Sequence, residues 1–229
     1  LETGDIKRQF RDNIESELRN GNIVISLDRN YIKYEDFSPE LRDRLIFLDC
    51  TRLEKGGVVE RPGTPSLDLQ YQNILEKVKK ARQKIPNSKI VMVDDVLFSG
   101  GTVLNINKEL QKLGIEINKS LFAVSVENAG GKNNLEKSSI SVNPIKVYET
   151  LKDEICSRDF IYGLPQSGRL AEIEGERVLK PYFSPFGNSE NASIPKSREL
   201  AFAKACVDFS SEFWTEIDKY RTTPISVAK

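Results

Sequence analysis

Two adjacent carboxylates, Asp94 and Asp95, follow the apolar run Ile90–Val93. A continuous apolar run of this length is typical of a strand that is buried in a parallel sheet. In an open sheet of alternating strands and helices, ligands bind beyond the carboxyl ends of the strands. The two acids are therefore predicted to lie at a ligand-binding edge, where they need hydrogen-bonding partners.

Small residues and hydroxyls come next, in the order Ser99, Gly100, Gly101 and Thr102, just before an amphipathic helix. The two glycines let backbone N–H groups approach a phosphate closely, and the helix N-terminus adds partial positive charge. Carboxylates that accept hydrogen bonds from sugar hydroxyls, followed at once by such a cup of backbone amides (residues 99–102), describe a site for a phosphorylated sugar.

Two other interpretations of this segment were weighed against the sugar-phosphate site. In the first, Asp94 and Asp95 end a strand and the glycines only form a turn; the need of two neighbouring acids for partners disfavours it. The second is a P-loop, which is excluded because the segment lacks the GxxxxGK[ST] pattern and has no lysine between Gly100 and Thr102.

Composition excludes several kinds of chemistry. The 229 residues include 34 Lys+Arg, 34 Asp+Glu, 3 Cys and no His. Without histidine, Ser-His-Asp and Cys-His nucleophiles are absent, and any metal is expected to be a hard cation held by oxygen, such as Mg²⁺. The three cysteines form no CxxC pair, which suits a reducing compartment and predicts a cytoplasmic protein. A formal net charge of zero without a basic stripe predicts no nucleic-acid partner.

Strands and helices alternate around the candidate site, which predicts an α/β fold with a parallel sheet and right-handed crossovers. No apolar run approaches the ~20 residues of a membrane span, so no membrane partner is expected. We predict an amino-terminal segment (1–45) packed on a core (46–170), and a carboxy-terminal hood or helix (171–229).

The segment resembles the signature by which type I phosphoribosyltransferases bind phosphoribosyl pyrophosphate (PRPP). That signature is an apolar strand, Asp-Asp or Glu-Asp, two apolar residues, one variable residue and Ser/Thr-Gly-x-Thr. The resemblance implies the Rossmann-like sheet of that fold, with a carboxy-terminal helical or irregular hood. It implies that Asp94 and Asp95 are catalytic and contact the ribose hydroxyls, and that residues 99–102 bind the 5′-phosphate. It also implies Mg²⁺ bound through PRPP, with the two acids as candidate ligands.

The resemblance suggests further sites with weaker motifs. Thr51, Arg52 and Arg61 are the candidate pyrophosphate-binding residues, although exposed charges of a hairpin explain them nearly as well. Asp159 and Tyr162 are candidates for the acceptor site, because Arg158–Leu164 weakly resembles the late strand of purine phosphoribosyltransferases. An ordinary last strand and turn is the slightly preferred explanation of that stretch.

Phe98 occupies the variable position of the signature, where hypoxanthine-type members have an aspartate that handles a purine ring proton. A phenylalanine cannot move a proton, so that form of general base catalysis is absent here. Its ring could stack on an acceptor or face the core, and the sequence favours neither.

The expected function is Mg²⁺-dependent transfer of the phosphoribosyl group of PRPP to a nitrogenous, nucleobase-like acceptor, with release of pyrophosphate. The alternative is a regulatory or effector protein that binds PRPP or a nucleotide with little or no turnover. The family resemblance implies a possible homodimer, and purine, pyrimidine and non-nucleobase acceptors all fit the sequence.

Overall fold

The computed structural model describes residues 3–29, 32–53, 57–61, 63–150, 161, 169–173, 176–187, 189 and 194–220. The chain divides into two compact units, residues 1–50 with 57–151 and residues 51–56 with 152–229. The first unit therefore takes in the predicted amino-terminal segment and most of the predicted core.

The elements of the chain, in order, are α1 (Thr3–Arg19), β1 (Ile23–Ser26), α2 (Pro39–Arg42), β2 (Leu45–Phe47), β3 (Cys50–Arg52), β4 (Val58–Glu60), α3 (Leu67–Lys84), β5 (Ile90–Leu97), α4 (Gly101–Lys112), β6 (Ile117–Val126), α5 (Gly131–Lys137), β7 (Ser141–Tyr148), β8 (Arg169–Ile173), β9 (Glu176–Lys180) and α6 (Glu199–Asp218).

Five strands of the first unit form one parallel sheet in the order β2-β1-β5-β6-β7. This confirms the predicted α/β class and parallel sheet. Counted along the chain, the order is 2-1-3-4-5, a doubly wound sheet whose direction of winding reverses between β1 and β5. Ser26 of β1 pairs with Val93 of β5, so these two strands end side by side at the reversal point. Ligands of such sheets bind in the crevice at this point.

Helices cover both faces of the sheet and bury two apolar clusters. On one face, α3 and α4 pack against Ile90 and Met92 of β5 and Phe122 of β6. On the other face, α1 packs against Val91 and Val93 of the same strand. The residues that α1 contributes lie at helical spacing, as expected for an amphipathic helix: Ile6, Phe10, Ile14 and Leu18.

Two strands are longer than the sequence pattern predicts. The apolar run predicts a strand over 90–93, whereas β5 continues to Leu97 because Val96 and Leu97 still pair with β6. The pattern also predicts a weak strand over 139–142, whereas β7 reaches Tyr148. Pro144 interrupts the apolar pattern there, and a proline is tolerated because β7 is the last strand of the sheet formed by the described residues and pairs there only with β6.

The second unit contains the antiparallel pair β8–β9 and the helix α6. Phe183, Ala203 and Cys206 form its small buried cluster, and burial raises the pKa of the Cys206 thiol to about 11. Within the described ranges of the chain, no helix combines the length and apolar character needed to cross a membrane.

Candidate functional site

The predicted carboxylates lie in the last half of β5 rather than after it. Both side chains are half-buried, and each is oriented by a backbone group. Oδ1 of Asp94 accepts a hydrogen bond from the N–H of Asp95 at 3.0 Å, and Oδ1 of Asp95 accepts one from the N–H of Val96 at 2.8 Å. These bonds fix the position of both carboxylates at the end of the strand, where the crevice of the sheet begins.

The two carboxylates continue different faces of the sheet, because successive side chains of a strand alternate. Asp94 pairs with Phe122, which belongs to the apolar cluster beneath α3 and α4. Asp95 continues the face of Val93, which packs against α1. Asp94 therefore lies on the face where the loop to α4 begins, which is the face expected to hold a phosphate.

The loop from β5 to α4 has the form of an amide cup. Gly100 caps α4 with a φ of 75°, a left-handed conformation that favours glycine, and Gly101 and Thr102 begin the helix. Within the described part of the chain, the backbone N–H groups of Ser99, Gly100 and Thr102 donate no hydrogen bond. Unengaged amides at the start of a twelve-residue helix are the groups that bind a phosphate.

The loop after β1 begins at the same crevice, and the sequence analysis did not predict its residues as part of the site. Asp28 is 4% exposed, and the next residue, Arg29, donates to both carboxylate oxygens of Asp49 at 2.5 and 2.6 Å. The guanidinium carbon of Arg29 also lies 4.6 Å from the centre of the Phe47 ring. An arginine is thus held near the carboxyl ends of β1 and β2, with its charge paired to the carboxylate of Asp49.

Gln70 of α3 fixes the loop that carries Asp49. Its side-chain oxygen accepts the N–H of Asp49 at 2.7 Å, and its amide nitrogen donates to the carbonyls of Asp49 and Pro65 at 3.1 and 2.7 Å. The side chain is buried and fully engaged in these bonds, so its role is structural.

The candidate pyrophosphate-binding residues fall in different parts of the chain. Thr51 and Arg52 lie in β3 and belong to the second unit, and the side chain of Arg52 is exposed. Arg61 belongs to the first unit, where its Nε donates to the carbonyl of Cys50 at 2.9 Å and its Nη2 to the carbonyl of Leu27 at 3.4 Å. Arg61 thus ties together the segments that follow β1 and β2, and a role toward pyrophosphate stays a prediction.

The contacts of Arg61 lead to a prediction about stability. We expect Arg61→Lys to lower the free energy of unfolding by about 1–2 kcal/mol. The planar guanidinium of arginine donates from two nitrogens to the two carbonyls, whereas lysine has a single nitrogen. Urea unfolding measures the change. Arg8→Lys, on the exposed face of α1, is the matched control and is expected to stay within about 0.5 kcal/mol of the wild type. Equal stability of the two variants would contradict the structural role.

The candidate acceptor residues are described only in part. The side chain of Phe98 is half-buried and is not a member of the apolar clusters formed by the described residues. This favours a position at the site over a position in the core. Asp159 and Tyr162 lie outside the described residues.

Among the residues that the structure describes, no group of three or more acidic or cysteine side chains is arranged to hold a metal ion. The carboxylates of Asp94 and Asp95 offer oxygen ligands of the kind that Mg²⁺ prefers, and Mg²⁺ is usually bound by one or two carboxylates together with substrate phosphates. The site therefore fits an ion that arrives with a phosphorylated ligand.

Comparison with known proteins adds similarity in sequence to curated relatives. The chain is 32% identical over 65 residues to an adenine phosphoribosyltransferase of Sinorhizobium medicae, which is 28% of this chain and 36% of that protein. It is 40% identical over 60 residues to the adenine phosphoribosyltransferase of Blochmanniella floridana, which is 26% of this chain and 32% of that protein. The chain thus spans about a third of the length of these curated relatives.

No family model matches the chain. A crystal structure of adenine phosphoribosyltransferase from Trypanosoma brucei, in complex with AMP, pyrophosphate and ribose-5-phosphate, aligns with a TM-score of 0.42 at 15% identity. That alignment covers 75% of this chain and 74% of the other. The chain is thus similar to phosphoribosyltransferases over about a quarter of its length. The signature in β5 and α4, and the doubly wound parallel sheet that presents it, agree with that similarity.

Proposed function

We propose that the chain transfers the phosphoribosyl group of PRPP to a ring nitrogen of a nucleobase-like acceptor and releases pyrophosphate. The observation that carries this proposal is the end of β5, where two oriented carboxylates precede the loop to α4. Among the described residues, the amides of Ser99, Gly100 and Thr102 in this loop donate no hydrogen bond. Adenine is the first acceptor to test, because the curated relatives are named adenine phosphoribosyltransferases.

In the proposed reaction, the bond between C1 of the ribose and the pyrophosphate oxygen breaks, and its electron pair leaves with pyrophosphate. The lone pair of the acceptor nitrogen forms the new bond to C1, and the proton on that nitrogen is released. Positive charge develops on the ribose in between, so a site of this kind works mainly by positioning and electrostatic stabilisation.

The residues of the chain have distinct proposed roles. Asp94 and Asp95 accept hydrogen bonds from the ribose hydroxyls and hold C1 in place, while the amides and hydroxyls of residues 99–102 bind the 5′-phosphate. Arg29, which is paired with Asp49 through Nε and Nη2, is proposed to donate from Nη1 to a phosphate oxygen of the leaving group. Mg²⁺, bound through PRPP and the acids, would neutralise charge on the pyrophosphate.

Phe98 favours a second candidate function, that of a PRPP- or nucleotide-binding regulator. At this position the chain carries an aromatic ring that can stack on a base but cannot take the proton of an acceptor. Binding without turnover would follow if no other group removed that proton.

One experiment separates the two functions. PRPP and Mg²⁺ are first titrated into the protein by calorimetry, and pyrophosphate release is then measured with adenine and with a panel of other nucleobases. Rapid release with one base supports the transferase and rejects the regulator. Binding of PRPP without release for any base supports the regulator. Absence of binding at millimolar PRPP rejects both.

A further inference from the structure

We infer that α5 positions the phosphate-binding loop, with Asn134 as the positioning residue that aims the amides of Ser99 and Gly100 at the phosphate. This inference rests on the proposed function. It assigns a role to a seven-residue helix that belongs to no recognised motif and lies about thirty residues further along the chain.

The first step is the close approach of the two segments at Gly131, the first residue of α5. A Cβ atom at this position would lie 1.8 Å from the carbonyl oxygen of Phe98 and 2.8 Å from Cδ1 of Leu97. The carbonyl of Phe98 therefore fills the space in which any other residue would place its side chain. Only glycine allows α5 to lie this close to the loop.

The second step is the hydrogen bond from Asn134. Its Nδ2 donates to the carbonyl oxygen of Ser99 at 3.0 Å, one turn along α5 from Gly131. Consecutive carbonyls of the loop, those of Phe98 and Ser99, are thus both directed at α5.

The third step concerns the direction of the amides. In a planar trans peptide the C=O and N–H groups point in opposite directions. Because the carbonyls of Phe98 and Ser99 face α5, the N–H groups of Ser99 and Gly100 must face away from it. These are two of the N–H groups that donate no hydrogen bond within the described part of the chain. The contacts with α5 therefore set the direction in which the N–H groups of Ser99 and Gly100 point.

Leu135 of α5 adds an apolar contact to the loop. It is fully buried, and a Cβ atom on Gly100 would lie 3.0 Å from its Cγ. The left-handed turn at Gly100 is thus packed against an apolar side chain as well as tied through Asn134. The loop is preorganised, so a phosphate meets amides that already point at it.

The test compares Asn134→Ala with Asn133→Ala, a change of the same type at the neighbouring exposed position of the same helix. Calorimetry measures the affinity of each variant for ribose 5-phosphate and, separately, for pyrophosphate with Mg²⁺. We expect Asn134→Ala to bind ribose 5-phosphate about five- to tenfold more weakly, the effect of one hydrogen bond. Its affinity for pyrophosphate and its urea midpoint should stay close to those of Asn133→Ala. Asn134→Gln, which keeps the donor on a longer side chain, should recover part of the loss.

The outcomes separate this inference from the proposed function. If the wild type binds neither PRPP nor ribose 5-phosphate, the proposed function fails, and the inference fails with it. If the wild type binds PRPP but not ribose 5-phosphate, only the inference is rejected. If the wild type binds and Asn134→Ala binds equally well, only the role of Asn134 is rejected. Equal weakening toward both ligands, together with a lower urea midpoint, would also reject it, because a general loss of structure would then explain the effect.

Discussion

The double variant Asp94→Asn/Asp95→Asn is expected to bind PRPP at least about a hundredfold more weakly than the wild type. Each carboxylate that hydrogen-bonds a ribose hydroxyl contributes about 1.5–3 kcal/mol, and two of them together correspond to a hundredfold or more in affinity. The carboxamide keeps the size and shape of the side chain, so the strand and its pairing with β6 should be preserved. Calorimetric titration with PRPP and Mg²⁺ measures the loss.

Glu76→Gln is the matched control, because it makes the same change from carboxylate to carboxamide on an exposed face of α3. It should bind PRPP as the wild type does. Single variants add a finer expectation: Asp94→Asn should weaken binding more than Asp95→Asn, since Asp94 lies on the face of the sheet where the loop to α4 begins. A double variant with wild-type affinity would refute the assignment of this site.

The site was predictable where it depends on neighbours in the sequence. The carboxylates, the glycines and the following helix lie within a dozen residues, so the apolar run and the turn residues were enough to place them together. The end of β5 was predicted too early because Asp94 and Asp95 break the apolar run. The strand continues past them because its backbone still pairs with β6 as far as Leu97.

The parts of the site that depend on pairing between distant residues were not predictable. The apolar run 23–27 predicts a strand, but the position of that strand beside β5 follows from the order of the sheet, which periodicity does not encode. The loop that carries Asp28 and Arg29 therefore gave no signal of its own. The contacts of Arg61 with Cys50 and Leu27 likewise join segments whose proximity only the fold reveals.

The need for glycine at position 131 was also not predictable from the sequence. In the sequence, the pair Gly130-Gly131 resembles an ordinary turn. In the structure, Gly131 is the point where α5 meets the backbone of the phosphate loop. A glycine required by close backbone approach cannot be told from a turn glycine until the second backbone is known.

Gly131→Ala is accordingly expected to be among the most destabilising glycine-to-alanine substitutions in the protein. The new Cβ would lie 1.8 Å from the carbonyl oxygen of Phe98, and the obstacle is backbone rather than a flexible side chain. Either α5 or the loop must move, and we expect a loss of about 2–4 kcal/mol in the free energy of unfolding, at or above the usual range for overpacking. Ribose 5-phosphate should also bind more weakly, since the displaced carbonyl no longer directs the amide of Ser99.

Gly4→Ala is the same substitution at another position, and we expect it to raise the stability of the protein instead of lowering it. Gly4 lies in α1, and no atom outside its immediate surroundings lies within 4 Å of the position of an added Cβ. Alanine should therefore stabilise the helix by up to about 1 kcal/mol. Urea unfolding of the two variants under identical conditions measures both effects. If Gly131→Ala proved as stable as Gly4→Ala and bound ribose 5-phosphate like the wild type, α5 could not lie against the loop. The preorganised direction of the amides would then need another source.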